Sequence, residues 1–240
     1  MALVFSVAEI GKVRTNMEDY VHPPAGTHTR IVPPFSVVVA DGVAGSPYGE
    51  KASQAAVEIA VAYFNDMIER KVQPNLKLVK SIFDSVQEAL TFLQEADPAI
   101  RGASTTLSMV VFDNDNAYIG YAGDSPIFLI RGPRIKRLDE PHVVGTWVYS
   151  ENGIVLNTTL VNCVGGYPGI YSGPDLKEIK MYKGDMLIVA SDGLTLHIEP
   201  MEILNAFWNN SPQDAINDIK NLVYERGAFD NFSFVVVVWE

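Results

Sequence analysis

Apolar residues follow two kinds of pattern along this chain, and each pattern predicts one kind of secondary structure. Runs of consecutive or alternating apolar residues predict β-strands at Val4–Ala8, Phe35–Ala40 and Met186–Ala190. Residues 104–130 predict three further strands, with a hairpin turn at the sequence DNDN. Residues 232–239, FSFVVVVW, are apolar on both sides, which predicts a strand that is central or covered.

Apolar residues spaced by three and four positions predict long helices between these strands. One helix lies within residues 48–70, a second follows Pro74 and Asn75, and the last begins at Ser211 and ends at Gly227. Strands and helices occur in blocks rather than in strict alternation. The pattern therefore favours an α+β layered domain with antiparallel sheets over a doubly wound fold.

Composition narrows the possible partners and the cellular location. With 240 residues, 48% of them hydrophobic, and no linker, the chain is expected to form one domain over residues 1–240. A net charge of -11 argues against a nucleic-acid partner, which requires a basic surface. The longest apolar run, Phe234–Trp239, is far shorter than the roughly 18 residues of a membrane span, so no membrane partner is expected. The single cysteine, Cys163, and the absence of a secretory signal pattern favour a cytoplasmic location.

Four aspartates lie where predicted strands begin or end. Asp41 and Asp192 each follow an apolar run and precede a glycine, Asp19 lies in VRTNMEDYV, and Asp230 comes just before the last strand. Two sheets packed face to face can bring such strand ends together at one rim. Two carboxylates about 4 Å apart repel by about 4 kcal/mol at an effective dielectric of about 20. A cluster of these aspartates must therefore bind cations or take up protons at raised pKa values.

Carboxylate ligands without histidine or cysteine favour Mg²⁺ or Mn²⁺ over zinc. Gly42, directly after Asp41, leaves room at the site and could add its backbone carbonyl as a ligand. Two such ions about 3.5 to 4 Å apart can activate a shared water molecule for hydrolysis of a phosphate ester. Each aspartate taken alone could instead serve as a turn residue or a helix cap.

Six stretches, taken in order, resemble the consecutive signature blocks of the metal-dependent protein serine/threonine phosphatases, the type 2C or PPM family, in a short bacterial-like form. They are VRTNMEDY, VVVADGVAGSPYGEKAS, STTLSMVVF, YAGDSPIFLI, IVASDGL and DNFSFVVV. The resemblance implies a four-layer α-β-β-α sandwich, with two antiparallel β-sheets flanked by helices. It implies two Mn²⁺ or Mg²⁺ ions per chain, and one-step hydrolysis of phosphoserine or phosphothreonine by metal-activated water. It also implies a phosphoprotein substrate and an opposing protein kinase.

The same resemblance assigns roles to residues of this chain. The implied metal ligands are Asp19, Asp41, Asp192 and Asp230, the carbonyl of Gly42, Glu18 through a metal-bound water, and Asp124 for a weaker third ion found in many members. Arg14 matches the arginine that holds the substrate phosphate, and its planar guanidinium suits two phosphate oxygens. The alternative for Arg14 is a surface ion pair with Glu18, and for Asp124 a hairpin turn.

Several positions depart from the family pattern. Val43 stands where many eukaryotic members have a histidine proposed to protonate the leaving group, and a metal-bound water could supply that proton instead. Pro126 and Leu196 replace an arginine and an acidic or polar residue, which bears mainly on the third ion. His197 could donate a proton near Asp192, but we expect a solvent-exposed or capping histidine.

Residues 138–169 correspond to the flap beside the site in this family, and we expect substrate choice to reside there. Trp147, Tyr149 and Tyr167 form either a wall for a phosphopeptide or part of the core. Two other functions stay open. One is a catalytically weak or silent phosphatase-like module that binds or regulates, and the other is a metal phosphoesterase for a small metabolite.

Overall fold

The computed structural model describes residues 1–150, 153–167 and 169–240, without the side chains of 146–150 and 153–157. The strands in chain order are β1 (Ala2–Glu9), β2 (Asp19–His22), β3 (His28–Ile31), β4 (Phe35–Asp41), β5 (Ser104–Thr105), β6 (Leu107–Asp113), β7 (Asn116–Ala122), β8 (Ile127–Arg131), β9 (Arg134–Arg137), β10 (Val143–Ser150), β11 (Gly153–Leu160), β12 (Val164–Gly165), β13 (Asp175–Lys180), β14 (Met186–Ala190) and β15 (Phe232–Trp239). The helices are α1 (Gly49–Glu69), α2 (Leu76–Ala96), α3 (Asp192–Thr195), α4 (Pro200–Asn209) and α5 (Pro212–Glu225), with a 3₁₀ turn at Pro98–Ile100.

Two antiparallel sheets form the centre of the molecule. The six-stranded sheet has the order β3-β1-β15-β14-β8-β9, and the five-stranded sheet has the order β13-β7-β6-β4-β2. One apolar core lies between the two sheets and includes Val37, Phe112, Val189 and Val237. A second core packs the six-stranded sheet against α4 and α5, and a third packs the five-stranded sheet against α1 and α2. The α-β-β-α sandwich predicted from the sequence is confirmed.

The strands predicted from apolar runs are present in this topology, although residues 104–130 contribute to four strands, β5 to β8, rather than three. Strand β15 lies between β1 and β14, as its apolar composition on both faces predicts. The DNDN turn joins β6 to β7, with Asp113 opposite Asn116 and Asn114 in the left-handed region at φ 48°. Asparagine tolerates this conformation better than most residues, which explains its place in a tight hairpin.

The predicted helices have the expected boundaries, and local capping explains them. The side chain of Asn75 accepts hydrogen bonds from the backbone N–H groups of Lys77 (2.8 Å) and Leu78 (3.1 Å), which starts α2. Ser211 caps α5 in the same way through Asp214 N–H. Helix α4, which the periodicity does not predict, begins with a capping box between Glu199 and Glu202. None of the helices in the described residues is both long and apolar enough to cross a lipid bilayer.

The arrangement of the sheets brings distant parts of the chain to one rim. In the five-stranded sheet, the first residue of β2, Asp19, pairs directly with the last residue of β4, Asp41. In the six-stranded sheet, β14 ends just before Asp192, and β15 begins just after Asp230 and Asn231. Each sheet therefore supplies two of the four strand-end aspartates.

Candidate functional site

A cavity of about 630 Å³ opens at this rim between the two sheets. The carboxyl groups of Glu18, Asp41, Asp124, Asp192 and Asp230 line it, together with the guanidinium of Arg14. Asp19 lies behind this lining and is only 3% exposed. The structure thus brings together all of the charged residues that the sequence assigns to a site.

The two sheets are joined at the site by a hydrogen bond to Asp19. The hydroxyl of Ser191, which follows β14, donates to Asp19 Oδ2 at 2.8 Å. The same hydroxyl accepts from the backbone N–H of Ser233 at 3.0 Å. Asp41 is held from its own sheet, because its N–H donates to Thr106 Oγ1 (3.0 Å) and its carbonyl accepts from Thr105 Oγ1 (2.8 Å).

Three of the four strand-end aspartates have raised pKa values. Burial raises the pKa of Asp19 to about 7, against an opposing hydrogen bond from Ser191. Burial, with the charges of Asp19 and Asp192 nearby, raises the pKa of Asp41 well above its usual range. Burial and the charge of Asp124 raise the pKa of Asp192 to about 6. The two carboxyl groups of Asp41 and Asp192 lie close enough to hydrogen-bond when one of them is protonated. These three groups favour protonation because burial penalises the charged carboxylate, and neighbouring carboxylates add to this effect.

Asp230 differs from the other three because Arg14 holds it. Arg14 Nε lies 2.8 Å from Asp230 Oδ1, and Arg14 Nη2 donates to Oδ2 at 2.8 Å. This pairing raises the pKa of Arg14. The ion pair with Glu18, considered from the sequence, is also present but longer, at 3.8 Å. Burial raises the pKa of Glu18, against the opposing charge of Arg14.

Gly42 occupies a position that only glycine fits. A Cβ atom at Gly42 would overlap the backbone of Gly49, the first residue of α1. The N–H of Gly42 donates to the carbonyl of Glu18 at 3.0 Å, and that of Val43 donates to Ser104 at 3.0 Å. Gly42 and Val43 both line the cavity, so the valine side chain replaces any proton donor there.

Asn231 is a site residue that the sequence reasoning missed. Its side chain, only 4% exposed, accepts from Glu18 N–H at 2.8 Å and donates to the carbonyls of Ile10 (2.9 Å) and Asn16 (3.1 Å). The segment that carries Arg14, Glu18 and Asp19 is therefore held to the start of β15. The sequence signals for it were its position beside Asp230 and its place in the family-like stretch DNFSFVVV.

Asp124 lies in a turn held from two sides. Arg137 donates to the Asp124 carbonyl at 3.0 Å, and Gly123 N–H donates to His142 Nδ1 at 3.1 Å. Burial raises the pKa of Asp124. His142 Nε2 lies 3.3 Å from Asp175, a contact that its position in the sequence does not suggest. Leu196 is 51% exposed and Pro126 adds no charge, so neither supplies a further ligand near Asp124.

His197 matches the capping alternative rather than the solvent-exposed one, because its ring bonds the carbonyl of Gly193 in α3. It is buried at 5% exposure, not solvent-exposed, and its two ring nitrogens contact Gly193 O (2.7 Å) and Phe229 N (3.1 Å). A ring bonded on both sides to backbone atoms has no free proton to donate. The role of proton donor is therefore ruled out by this geometry.

The flap segment contains the hairpin β10–β11, which borders the cavity. Val143, Thr158, Thr159 and Leu160 line the cavity wall on this side. Tyr167 also lines the cavity and is 66% exposed. Its ring packs on Gly102, so closely that a Cβ atom at Gly102 would lie 2.9 Å from the ring. The side chains of Trp147 and Tyr149 lie outside the described residues. Of the three aromatic residues considered from the sequence, Tyr167 is therefore at the cavity rather than in the core.

The carboxylates at the rim have the chemistry that divalent metal ions require. Within the described residues, no three histidine, cysteine, aspartate or glutamate side chains are placed to hold one ion by themselves. The oxygen-only donors still suit Mg²⁺ or Mn²⁺, since such ions keep several water ligands and need only one or two carboxylates each. The raised pKa values of Asp19, Asp41 and Asp192 indicate uncompensated negative charge that a divalent ion would neutralise. The residues therefore fit the ions.

Comparison with known proteins gives a consistent result. A family model described as protein phosphatase 2C matches residues 15–222. Protein phosphatase PhpP of Streptococcus pneumoniae is 25% identical over 96% of this chain and 95% of its own length. Serine/threonine protein phosphatase PstP of Mycobacterium tuberculosis is 24% identical over 94% of this chain and 43% of its own length.

Solved structures share the fold. The crystal structure of Mycobacterium tuberculosis PstP superimposes with a TM-score of 0.79 at 21% identity, covering 100% of both chains. The PstP catalytic domain in complex with two manganese ions has a TM-score of 0.75 at 22% identity, covering 99% of this chain and 100% of that one. The match over residues 15–222 shows that this chain belongs to the protein phosphatase 2C family of serine/threonine protein phosphatases.

Proposed function

We propose that this chain hydrolyses phosphoserine and phosphothreonine in proteins at a site that holds two Mn²⁺ or Mg²⁺ ions. The observation that carries the proposal is that both sheets bring Asp41, Asp192 and Asp230 to one cavity beside Arg14, with Asp19 directly behind its lining. These carboxylates and the Gly42 carbonyl would hold the ions, with Glu18 acting through water. The PstP structure with two manganese ions supports this assignment through its shared fold.

When bound, the ions would supply Lewis-acid activation of a water molecule, the nucleophile for ester hydrolysis. Arg14 would bind the substrate phosphate. Its Nε and Nη2 groups now hold Asp230, and these are also the groups that pair with two oxygens of a phosphate. Substrate binding at Arg14 would therefore compete with Asp230 for the same N–H groups.

The leaving alkoxide needs a proton, and neither Val43 nor His197 can supply it. The side chain of Val43 has no polar atom, and both nitrogens of His197 are occupied by backbone groups. We propose that a water molecule in the open cavity supplies this proton. Asp124 would hold a weaker third ion, since it lines the same cavity and its charge acts on Asp192.

The remaining parts of the proposal concern substrate and setting. The whole chain, 1–240, acts as one catalytic domain in the cytoplasm, and the flap of about 138–169 selects phosphoprotein substrates made by an opposing protein kinase. Thr158, Thr159 and Leu160 on β11 line the cavity, which supports this role for the flap.

Hydrolysis of p-nitrophenyl phosphate and of a phosphothreonine peptide, with Mn²⁺ added, tests the proposal. We expect metal-dependent turnover that Asp41→Asn abolishes. Asp113→Asn, the same substitution in the β6–β7 turn, is the matched control and should retain activity. Calorimetric titration with Mn²⁺ is run in parallel.

Each alternative function has its own outcome in this experiment. Mn²⁺ binding without hydrolysis of any substrate would favour a silent binding or regulatory module. Faster turnover of sugar phosphates or nucleotides than of phosphopeptides would favour a metabolite phosphoesterase. Absence of both Mn²⁺ binding and turnover would overturn the proposal.

A further inference from the structure

His197 lies in the protein interior beside the cavity, and its ring is bonded on both sides. Phe229 N–H donates to Nε2 at 3.1 Å, so Nε2 carries no proton. The proton of the neutral ring is therefore on Nδ1, which donates to the carbonyl of Gly193 at 2.7 Å. The Phe229 ring also packs on the imidazole, with centroids 4.1 Å apart.

The two backbone groups that His197 contacts are each next to an aspartate of the site. Gly193 directly follows Asp192, and Phe229 directly precedes Asp230. His197 itself lies just beyond α3, where its own carbonyl accepts from Arg226 Nη1 at 2.7 Å. The imidazole thus connects α3 to the segment just before β15, which is far from it in the chain.

Other contacts between these two segments lie on the strand side of Asp230. Strands β14 and β15 pair as far as Ala190 opposite Phe234, and one further backbone bond joins Ser191 N–H to the Ser233 carbonyl. Past that point, Gly193 packs directly on the carbonyl of Asn231, where a Cβ atom would collide. His197 adds a directional bond beyond this contact, on the side of Asp230 away from the strand.

We propose that His197 is a positioning residue that sets the separation between the carboxyl groups of Asp192 and Asp230. The inference rests on the proposed role of both aspartates as metal ligands. Groups that orient metal ligands typically change metal affinity by about 10- to 100-fold when they are removed. His197 would therefore control how tightly the site binds its ions, without touching substrate.

Two substitutions separate the two bonds of the ring. His197→Asn retains an amide near the position of Nδ1 and so keeps the bond to Gly193, but it loses the acceptor for Phe229. His197→Gln reaches the position of Nε2 and keeps that acceptor. Ile219→Val, in the buried face of α5, is the control for a general loss of stability in the same layer.

The experiment measures the Mn²⁺ dissociation constant by calorimetry, the melting temperature in EDTA, and the Mn²⁺ dependence of p-nitrophenyl phosphate hydrolysis. We expect His197→Asn to weaken Mn²⁺ binding about ten-fold, with kcat recovered at saturating Mn²⁺. His197→Gln should bind Mn²⁺ close to the parent value. Ile219→Val should lower the melting temperature without changing Mn²⁺ affinity.

The outcomes distinguish this inference from the proposed function. If the parent protein does not bind Mn²⁺, the proposed function fails. If the parent binds Mn²⁺ but His197→Asn binds it equally well, His197 only fills space and the inference is wrong. Equal weakening in His197→Asn and His197→Gln would also contradict it, because the bond to Phe229 would then be irrelevant. If His197→Asn does not fold, His197→Gln decides the matter alone, because weaker Mn²⁺ binding by that folded variant, which keeps the acceptor for Phe229, would contradict the inference.

Discussion

Replacing Asn231 by alanine should loosen the segment that carries Arg14 without removing any charged group. The substitution deletes three side-chain hydrogen bonds, to Glu18 N–H and to the carbonyls of Ile10 and Asn16. It leaves the backbone N–H of residue 231, which donates to Asp230 Oδ1 at 2.8 Å. The perturbation therefore acts on the Arg14 segment and spares the Asp230 side chain.

The size of the effect follows from the burial of each partner. Ile10 and Asn16 are exposed, so water can replace Asn231 at their carbonyls at little cost. The N–H of Glu18 is partly buried, and leaving it without a partner costs about 1 to 3 kcal/mol. We expect a total loss of about 2 to 3 kcal/mol, or a fall in melting temperature of roughly 5 to 10 °C for a chain of this size.

Activity should change through substrate binding. Ordering one loosened residue when phosphate binds costs about 1 to 2 kcal/mol, so KM for a phosphopeptide should rise about ten-fold. Steady-state kinetics at saturating Mn²⁺ and differential scanning fluorimetry measure the two effects. The control is Asn75→Ala, which removes the N-cap of α2. It should lower the free energy of unfolding by about 1 kcal/mol and leave KM unchanged. An Asn231→Ala protein with lowered melting temperature but parental KM would refute the reasoning.

Four further predictions follow from the same geometry. Arg14→Lys keeps the charge but loses the paired N–H groups, so steady-state kinetics should show about a ten-fold higher KM for phosphopeptide and a smaller change in kcat. Asp41→Asn should raise the melting temperature in EDTA, since it removes one of several carboxyl groups that repel each other; an unchanged or lower value would contradict this. In EDTA, the melting temperature should fall as pH rises from about 4 to about 7. The reason is that the pKa of Asp19 is raised from 3.8 to about 7, so the folded state binds this proton more tightly than the unfolded chain does. Thermal scans that show rising stability across this range would argue against it. Cys163 is buried and its pKa is raised to about 11, so a thiol reagent at about pH 8 should label it only after denaturation, as mass spectrometry would show.

Local patterns were sufficient to predict an α+β layered domain, whereas the four-layer sandwich and the set of site aspartates came from the resemblance of six stretches to a known family. A buried strand followed by an aspartate and a glycine is visible at Asp41 and Asp192 without any tertiary information. The same is true of β15, whose apolar residues on both faces require cover. These signals are strong because burial determines the residue type at each position.

Other features depend on contacts between distant residues and could not be predicted in this way. Strands β9 and β13 lie at sheet edges and contain mostly charged or polar residues, so they lack the apolar pattern of a buried strand. The contacts of Asn231 with the Arg14 segment span more than 200 residues of sequence. His197 has no pattern that distinguishes a buried connecting residue from an exposed one. Hydrogen bonds of single polar side chains follow from the tertiary structure and not from periodicity.

The division of the four aspartates between the two sheets has a mechanical consequence. Ions held jointly by Asp19 and Asp41 on one side and Asp192 and Asp230 on the other would resist sliding of one sheet over its neighbour. A substitution that shifts one sheet relative to the other would alter the geometry of the metal ligands at the rim, even if the substituted residue lies far inside the protein. The stacked rings of Phe112 and Trp239 lie between the sheets, with centroids 5.6 Å apart, and are suited to transmit such a shift. The same contacts between the sheets would thus affect both the stability of the sandwich and the catalytic rate.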